Sequence, residues 1–196
     1  MATSLKVMIV RHGEKPVVKH VPPLGITKDG QEDFESLTVR GRQRAGGLAC
    51  LFRSPHNPAL VTPELIYASK PREDAAADAE PGSKSRRPLE TITPLAKRLG
   101  IAPDLDFGKD QEAALVAQVL KQKKPVLIAW QHEAICAIAE ALVGDNPPKQ
   151  PIPAKWPGDR YDLVWVLDPP AGNGKGWQFT QVPQLLLKGD SDTPIA

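Results

Sequence analysis

Apolar and polar positions along this 196-residue chain fall into two rhythms. Leu5 to Val10 is a compact, β-branched-rich apolar run that stops at Arg11-His12-Gly13-Glu14. Such a run predicts a buried strand whose carboxyl end presents polar groups. Glu64 to Ala68 predicts a short second strand, and Pro125 to Trp130 another buried one, ending in Gln131-His132-Glu133. Between them lies a helical rhythm. Ala45, Leu48, Ala49, Leu51 and Phe52 form an apolar face in a helix that Thr38 can cap. Leu89, Ile92, Leu95, Ala96 and Leu99 do the same over 87–99, with Gly100 as a stop signal. Two more helices are predicted, over 110–122 and over 134–143. Strand, polar end and helix recur three times, which favours a three-layer α/β/α domain with a mostly parallel sheet. Leu163 to Leu167 and Trp177 to Val182, joined through the Gly-rich stretch 172–176, predict an antiparallel hairpin at the sheet edge.

Two stretches break these rhythms. Residues 16–36, with Pro22-Pro23, Gly25 and Asp29-Gly30, read as a long surface loop. Residues 70–84 are small and charged, without large apolar side chains, and read as a flexible excursion. The length suits one domain spanning 1–196. The 25 Lys and Arg against 23 Asp and Glu give a net charge of +2 and are scattered, so nucleic acid is not the expected partner. The chain shows neither a signal-peptide core nor a membrane-spanning run, which predicts a cytoplasmic protein with no membrane partner. Cys50 and Cys136 lie in helical contexts and are expected to be reduced core residues.

The candidate chemistry sits where strands end. Arg11 and His12 present a guanidinium and an imidazole at the mouth of the sheet, a pair suited to an oxyanion, and Gly13 allows close approach. Arg87-Pro88-Leu89-Glu90-Thr91 opens a helix after the second strand, so a second guanidinium and free backbone N–H groups can face the same crevice. His132, at the end of the third strand, can donate to phosphate oxygens there.

With these strings in this order the sequence resembles the histidine phosphatase (phosphoglycerate mutase-like) superfamily. The shared motifs are Arg11-His12-Gly13-Glu14, the helix start Leu37-Thr38 followed by Gly41 and Ala45, Arg87 with Thr91, and the late His132, together covering residues 5 to about 143. The resemblance implies that His12 attacks phosphorus in line and becomes transiently phosphorylated. It implies that Arg11, Arg87 and His132 bind the transferring group and that water then hydrolyses the phosphohistidine. It implies no metal and no organic cofactor, and a phosphorylated partner, either a small molecule or a phosphoprotein.

A proton donor is needed for the leaving oxygen. Glu133, directly after His132, is the first candidate, because one branch of the superfamily places its donor there; Asp110 and Glu112 are the second. Glu14 is either catalytic or the structural partner of a nearby base. The chain departs from the mutase branch at Lys15-Pro16-Val17 and lacks that branch's later Glu-Arg-His-Tyr stretch, which disfavours mutase activity. The excursion before Arg87 changes the rim of the pocket, and Arg86 is an alternative phosphate ligand to Arg87. Substrate choice is expected to lie in the loops 16–36 and 70–84, through Lys15, His20, Lys28, Lys70, Arg72 and Lys84. Two other readings stand beside the phosphatase one: a non-catalytic domain that binds phosphorylated ligands, and a zinc site on His132-Glu133 and Cys136.

Overall fold

The computed structural model describes residues 4–72, 83–171, 174 and 176–196. In chain order its elements are β1 (Lys6–Arg11), α1 (Val39–Arg53), β2 (Leu65–Ala68), α2 (Arg87–Leu99), α3 (Glu112–Val119), β3 (Pro125–Trp130), α4 (His132–Val143), β4 (Leu163–Asp168) and β5 (Gln178–Pro183). The strands form one sheet in the order β2-β3-β1-β4-β5. β2, β3 and β1 pair in parallel, whereas β4 runs antiparallel to both β1 and β5. Four strands therefore point one way and β4 alone runs against them.

The central strands are apolar on both faces because both faces are covered. Val7, Ile9, Val126, Ile128, Trp130, Leu163, Trp165 and Leu167 join a core with side chains of α3 and α4. The alternate positions Met8, Val10, Leu127, Ala129, Val164 and Val166 join a second core with α1 and α2. Helices thus sandwich the sheet in three layers, as the sequence predicts. Thr38 caps α1 by accepting a hydrogen bond from the Gly41 amide, and α2 ends where Gly100 turns left-handed at φ 68°.

The predicted antiparallel hairpin forms at the sheet edge, with β5 outermost and β4 between it and β1. Three expectations need correction. The helix expected over 110–122 is shorter, because Asp110 has φ 73°, a conformation outside any right-handed helix. His132 opens α4 instead of ending a strand. Cys50 is exposed beside Arg98, on the outer face of α1, while Cys136 is buried as expected. Most of the excursion, residues 73–82, and residues 172, 173 and 175 of the Gly-rich stretch lie outside the described residues.

The loop 16–36 contains no helix or strand of its own, yet it is docked. Glu90 of α2 accepts from Ser36 Oγ at 3.0 Å, the Leu37 amide at 2.8 Å and Arg42 at 2.9 Å. Among the described residues, no helix is long and apolar enough to cross a membrane.

A buried charge cluster joins the turn after β1 to the chain's last residues. Arg44 of α1 is 2% exposed and donates to Glu14 and Asp190, at 2.8 Å each from its Nη2, and to Gln184 Oε1 at 2.9 Å. Burial disfavours the Arg44 charge, but hydrogen bonds to Asp190 and Glu14 outweigh it and raise its pKa. Burial likewise opposes the Asp190 charge, and the bonds from Arg44 and the amides of Leu186 and Leu187 still hold its pKa below the usual value of 3.8. Replacing Arg44 with Met should strand two carboxylates and cost about 3–5 kcal/mol in urea unfolding. In the parent protein the Asp190 carboxylate should stabilise the fold above its unfolded pKa. That share should fade as pH falls through the lower folded value, because the unfolded state takes up the proton first. An Arg44→Met loss below about 1 kcal/mol, in the range of surface ion pairs, would contradict this reading.

Candidate active site

Strands β1 and β3 end side by side, with Arg11 in register with Trp130, and the His12 amide extends the pairing by donating to Trp130 O at 3.1 Å. The His12 side chain follows into the interior, the whole residue being 2% exposed. Its Nδ1 lies 2.7 Å from Gly13 O. A carbonyl can only accept, so Nδ1 carries the hydrogen, and in the neutral ring Nε2 keeps a lone pair. Burial, and after it the charge of Arg11, push the pKa well below the ordinary 6.5; Arg87 and Lys15 add to this and the Gly13 bond opposes it. His12 is therefore a neutral imidazole with one nitrogen committed and one carrying a free lone pair.

The turn that carries it is fixed from two helices. The Gly13 amide donates to Thr91 Oγ1 at 2.8 Å, and that hydroxyl donates to Arg87 O at 2.7 Å. Glu14 O accepts from the Thr38 amide at 3.0 Å and from the Thr38 hydroxyl at 3.1 Å. Backbones meet directly between Gly13 and Gly41. A Cβ on Gly41 would stand 2.6 Å from Glu14 O, and one on Gly13 would stand 2.9 Å from Gly41 O. The strings Leu-Thr-x-x-Gly and Arg-x-x-x-Thr thus hold the His12 turn in place.

Arg11 is fully buried. Its Nη1 donates to the carbonyls of Pro157 at 3.1 Å, Gly158 at 2.8 Å and Arg160 at 2.9 Å. Its guanidinium lies over the Tyr161 ring, 3.8 Å from the centroid. Nε and Nη2 have no partner. Arg87, on the first turn of α2, donates to Phe34 O at 2.8 Å and lies 3.5 Å from Glu35, while its buried Nε is also unpartnered. Burial lowers the pKa of both arginines, opposed by neighbours that include Tyr161 and Glu133 in each case. These shared neighbours put the two guanidinium groups within electrostatic reach of the same side chains and of each other.

His132, at the first position of α4, comes close to the segment that holds Arg11; a Cβ on Gly158 would stand 3.7 Å from its Nε2. Its Nδ1 is 3.0 Å from Glu133 Oε2, close enough for attraction but without hydrogen-bond alignment. The Glu133 side chain is 57% exposed, and the interaction with His132 leads the influences that push its pKa down to about 2. Glu133 is therefore a carboxylate in the free protein. Gln131 Nε2 donates to the buried Ser69 Oγ at 2.9 Å, tying the ends of β2 and β3 together.

The remaining candidates go elsewhere. Glu14 turns away into the Arg44 cluster, the structural alternative of its two readings. Glu112 accepts from the Trp130 indole at 2.9 Å and from the Asp110 amide at 3.2 Å, and Asp110 is exposed. Arg86 is exposed and 3.9 Å from Asp33. Among the described residues, no group of three or more His, Cys, Asp or Glu side chains is placed to hold a metal ion. Tyr161, whose ring centroid lies 6.2 Å from that of His12, was not expected in the site. A lone tyrosine behind a Pro-rich loop carries no local sign of where it goes. Beside Arg87, the loop 16–36 and Lys84 line a cavity of about 500 Å³, with Phe34 and Glu35 shared between cavity and arginine.

No protein-family model and no curated protein matches the sequence. Solved structures do match it. A phosphoserine phosphatase from Entamoeba histolytica, in complex with phosphoserine, is 12% identical with a TM-score of 0.54, over 93% of this chain and 99% of that one. The protein histidine phosphatase SixA, complexed with tungstate, is 14% identical with a TM-score of 0.52, over 91% and 97%. A mycobacterial glucosyl-3-phosphoglycerate phosphatase, with inorganic phosphate, is 17% identical with a TM-score of 0.51, over 89% and 95%. With its sheet order, its three layers and these neighbours, the chain has a phosphoglycerate mutase-like fold, the fold of these phosphatases.

Proposed function

We propose that the protein is a phosphatase that hydrolyses phosphomonoesters through a phosphohistidine on His12. The observation that carries this reading is the neutral His12 ring, its Nδ1 committed to Gly13 O, set beside two buried guanidinium groups with unpartnered N–H groups. A neutral imidazole nitrogen is a competent nucleophile, and fixed cations stabilise charge on a transferring phosphoryl group. In the first step Nε2 bonds to phosphorus as the ester P–O bond breaks. Arg11, Arg87 and His132 hold the phosphoryl oxygens. In the second step water attacks phosphorus, the P–N bond breaks and inorganic phosphate leaves.

Glu133 supplies the proton for the leaving oxygen and then, as carboxylate, takes one from the attacking water. In the free protein it is already in the ionised form that the second task uses, and its lowered pKa makes it a weaker base than an ordinary carboxylate. The first task requires the phosphoryl dianion to raise its proton affinity on arrival, as like charges in close contact do. The cavity beside Arg87 is where the leaving group lies in this reading, which keeps substrate choice in the loop 16–36. The chemistry needs no metal. The fold neighbours act on dissimilar leaving groups, so a panel of sugar, nucleotide, peptide and phosphohistidine substrates is the screen that identifies the substrate. Phosphate binding without any turnover on that panel would favour the binding-domain reading.

Three outcomes test the mechanism. Nitrogen-detected NMR should find the His12 ring still neutral, with hydrogen on Nδ1, below pH 6.5, where an ordinary imidazole is mostly charged, because burial and Arg11 lower its pKa. A titration midpoint near 6.5 would overturn the nucleophile's assignment. His12→Ala should abolish phosphoenzyme on every substrate, whereas a chelator should leave the parent's rate unchanged. Glu133→Gln should cost about 10²–10⁴-fold on alkyl phosphates, much less on nitrophenyl phosphate, and should let phosphoenzyme accumulate on the latter. Equal losses on both substrates would make Glu133 a structural carboxylate.

A further inference from the structure

Arg11 and Tyr161 are 150 positions apart, yet the tyrosine ring covers one face of the guanidinium at 3.8 Å. The three carbonyls that occupy Nη1 come from the segment just before this tyrosine. One face and one nitrogen of the guanidinium are thus taken, leaving the Nε–Nη2 edge, whose two N–H directions match a pair of phosphoryl oxygens. That segment is itself anchored. Trp156 Nε1 donates to Arg160 O at 2.9 Å, and Arg160 Nε donates to Asp162 Oδ1 at 2.7 Å. Asp162 in turn accepts from the Ser191 amide, and its carbonyl accepts from the Gln184 amide. Tyr161 therefore stands on a braced support, its ring against Arg11 and its centroid 6.2 Å from that of His12.

We propose that Tyr161 is a positioning residue: by stacking on Arg11 it fixes the plane of the guanidinium so that the Nε–Nη2 edge meets the phosphoryl oxygens. This rests on the phosphate-binding reading of Arg11, and it gives the tyrosine no chemical step. The ring is what matters. Stacking on an aromatic face restrains a planar guanidinium, whereas a lysine ammonium at the same position has no plane to fix.

The test is calorimetric titration of the whole purified protein with inorganic phosphate. Tyr161→Leu should weaken phosphate binding about 10-fold, and Tyr161→Phe, which keeps the ring, should recover it to within about 3-fold of the parent. In an Arg11→Lys background the same Tyr161→Leu change should matter less than about 2-fold, the signature of action through Arg11. Tyr161→Met serves if the Leu variant does not give the parent's melting transition. A Tyr161→Leu loss equally large in both backgrounds, or no loss at all, overturns the proposal. So does a Tyr161→Phe loss as large as that of Tyr161→Leu, which would make the hydroxyl a direct ligand. Phosphate binding by the parent without turnover would sink the enzymatic reading alone, while a parent that does not bind phosphate would sink both.

Discussion

A guanidinium buried at the end of β1, with its hydrogen bonds going to carbonyls and none to a carboxylate, governs the rest of this site. Carbonyl dipoles hold the group's orientation without cancelling its charge, so a positive potential survives in the interior. That potential helps to deprotonate the neighbouring imidazole and, with Arg87, makes the space hospitable to an anion. A carboxylate in place of those carbonyls would satisfy the arginine and defeat the pocket.

Arg44 shows the opposite solution within the same fold. It too is buried, but two carboxylates and a glutamine amide oxygen saturate it, and the result is a rivet between α1, the turn after β1 and the chain's last residues. The two arginines separate two uses of buried charge. One is neutralised and contributes rigidity; the other is left electrostatically open. The rivet places Glu14, and the contact between Gly13 and Gly41 sets how closely α1 approaches the strand end, so the open charge works within a frame that the closed one helps to fix.

Much of this was legible in the sequence, for local reasons. β3 occupies the residues its apolar run predicts, and α2 stops at the glycine that can turn left-handed. His12, Arg11, Arg87 and His132 are expected at one edge of the sheet because each follows or opens a strongly patterned element; in the structure Arg11 ends β1 with His12 directly after it, and Arg87 and His132 open α2 and α4. What the pattern did not reveal depends on contacts between distant segments. The interior place of β4 depends on antiparallel pairing with β1, which no local period encodes. The helical rhythm over 110–122 hid the left-handed Asp110, and the low pKa of Glu133 arises from a neighbour's placement in space. Tyr161 and the carbonyls before it gave no signal, because a backbone acceptor is the same in every residue.

Those carbonyls reach Arg11 across 146, 147 and 149 positions of sequence. A chain that emerges and folds from its amino end therefore possesses His12, its first helix and its second arginine well before the arm that restrains Arg11 exists. Closing that long loop carries an entropic cost, and the pairing of β4 with β1 spans a similar separation. The restraint on Arg11 is consequently a property of the segment 157–161 as much as of β1, and a nascent form that has not yet reached it carries the motif without those contacts.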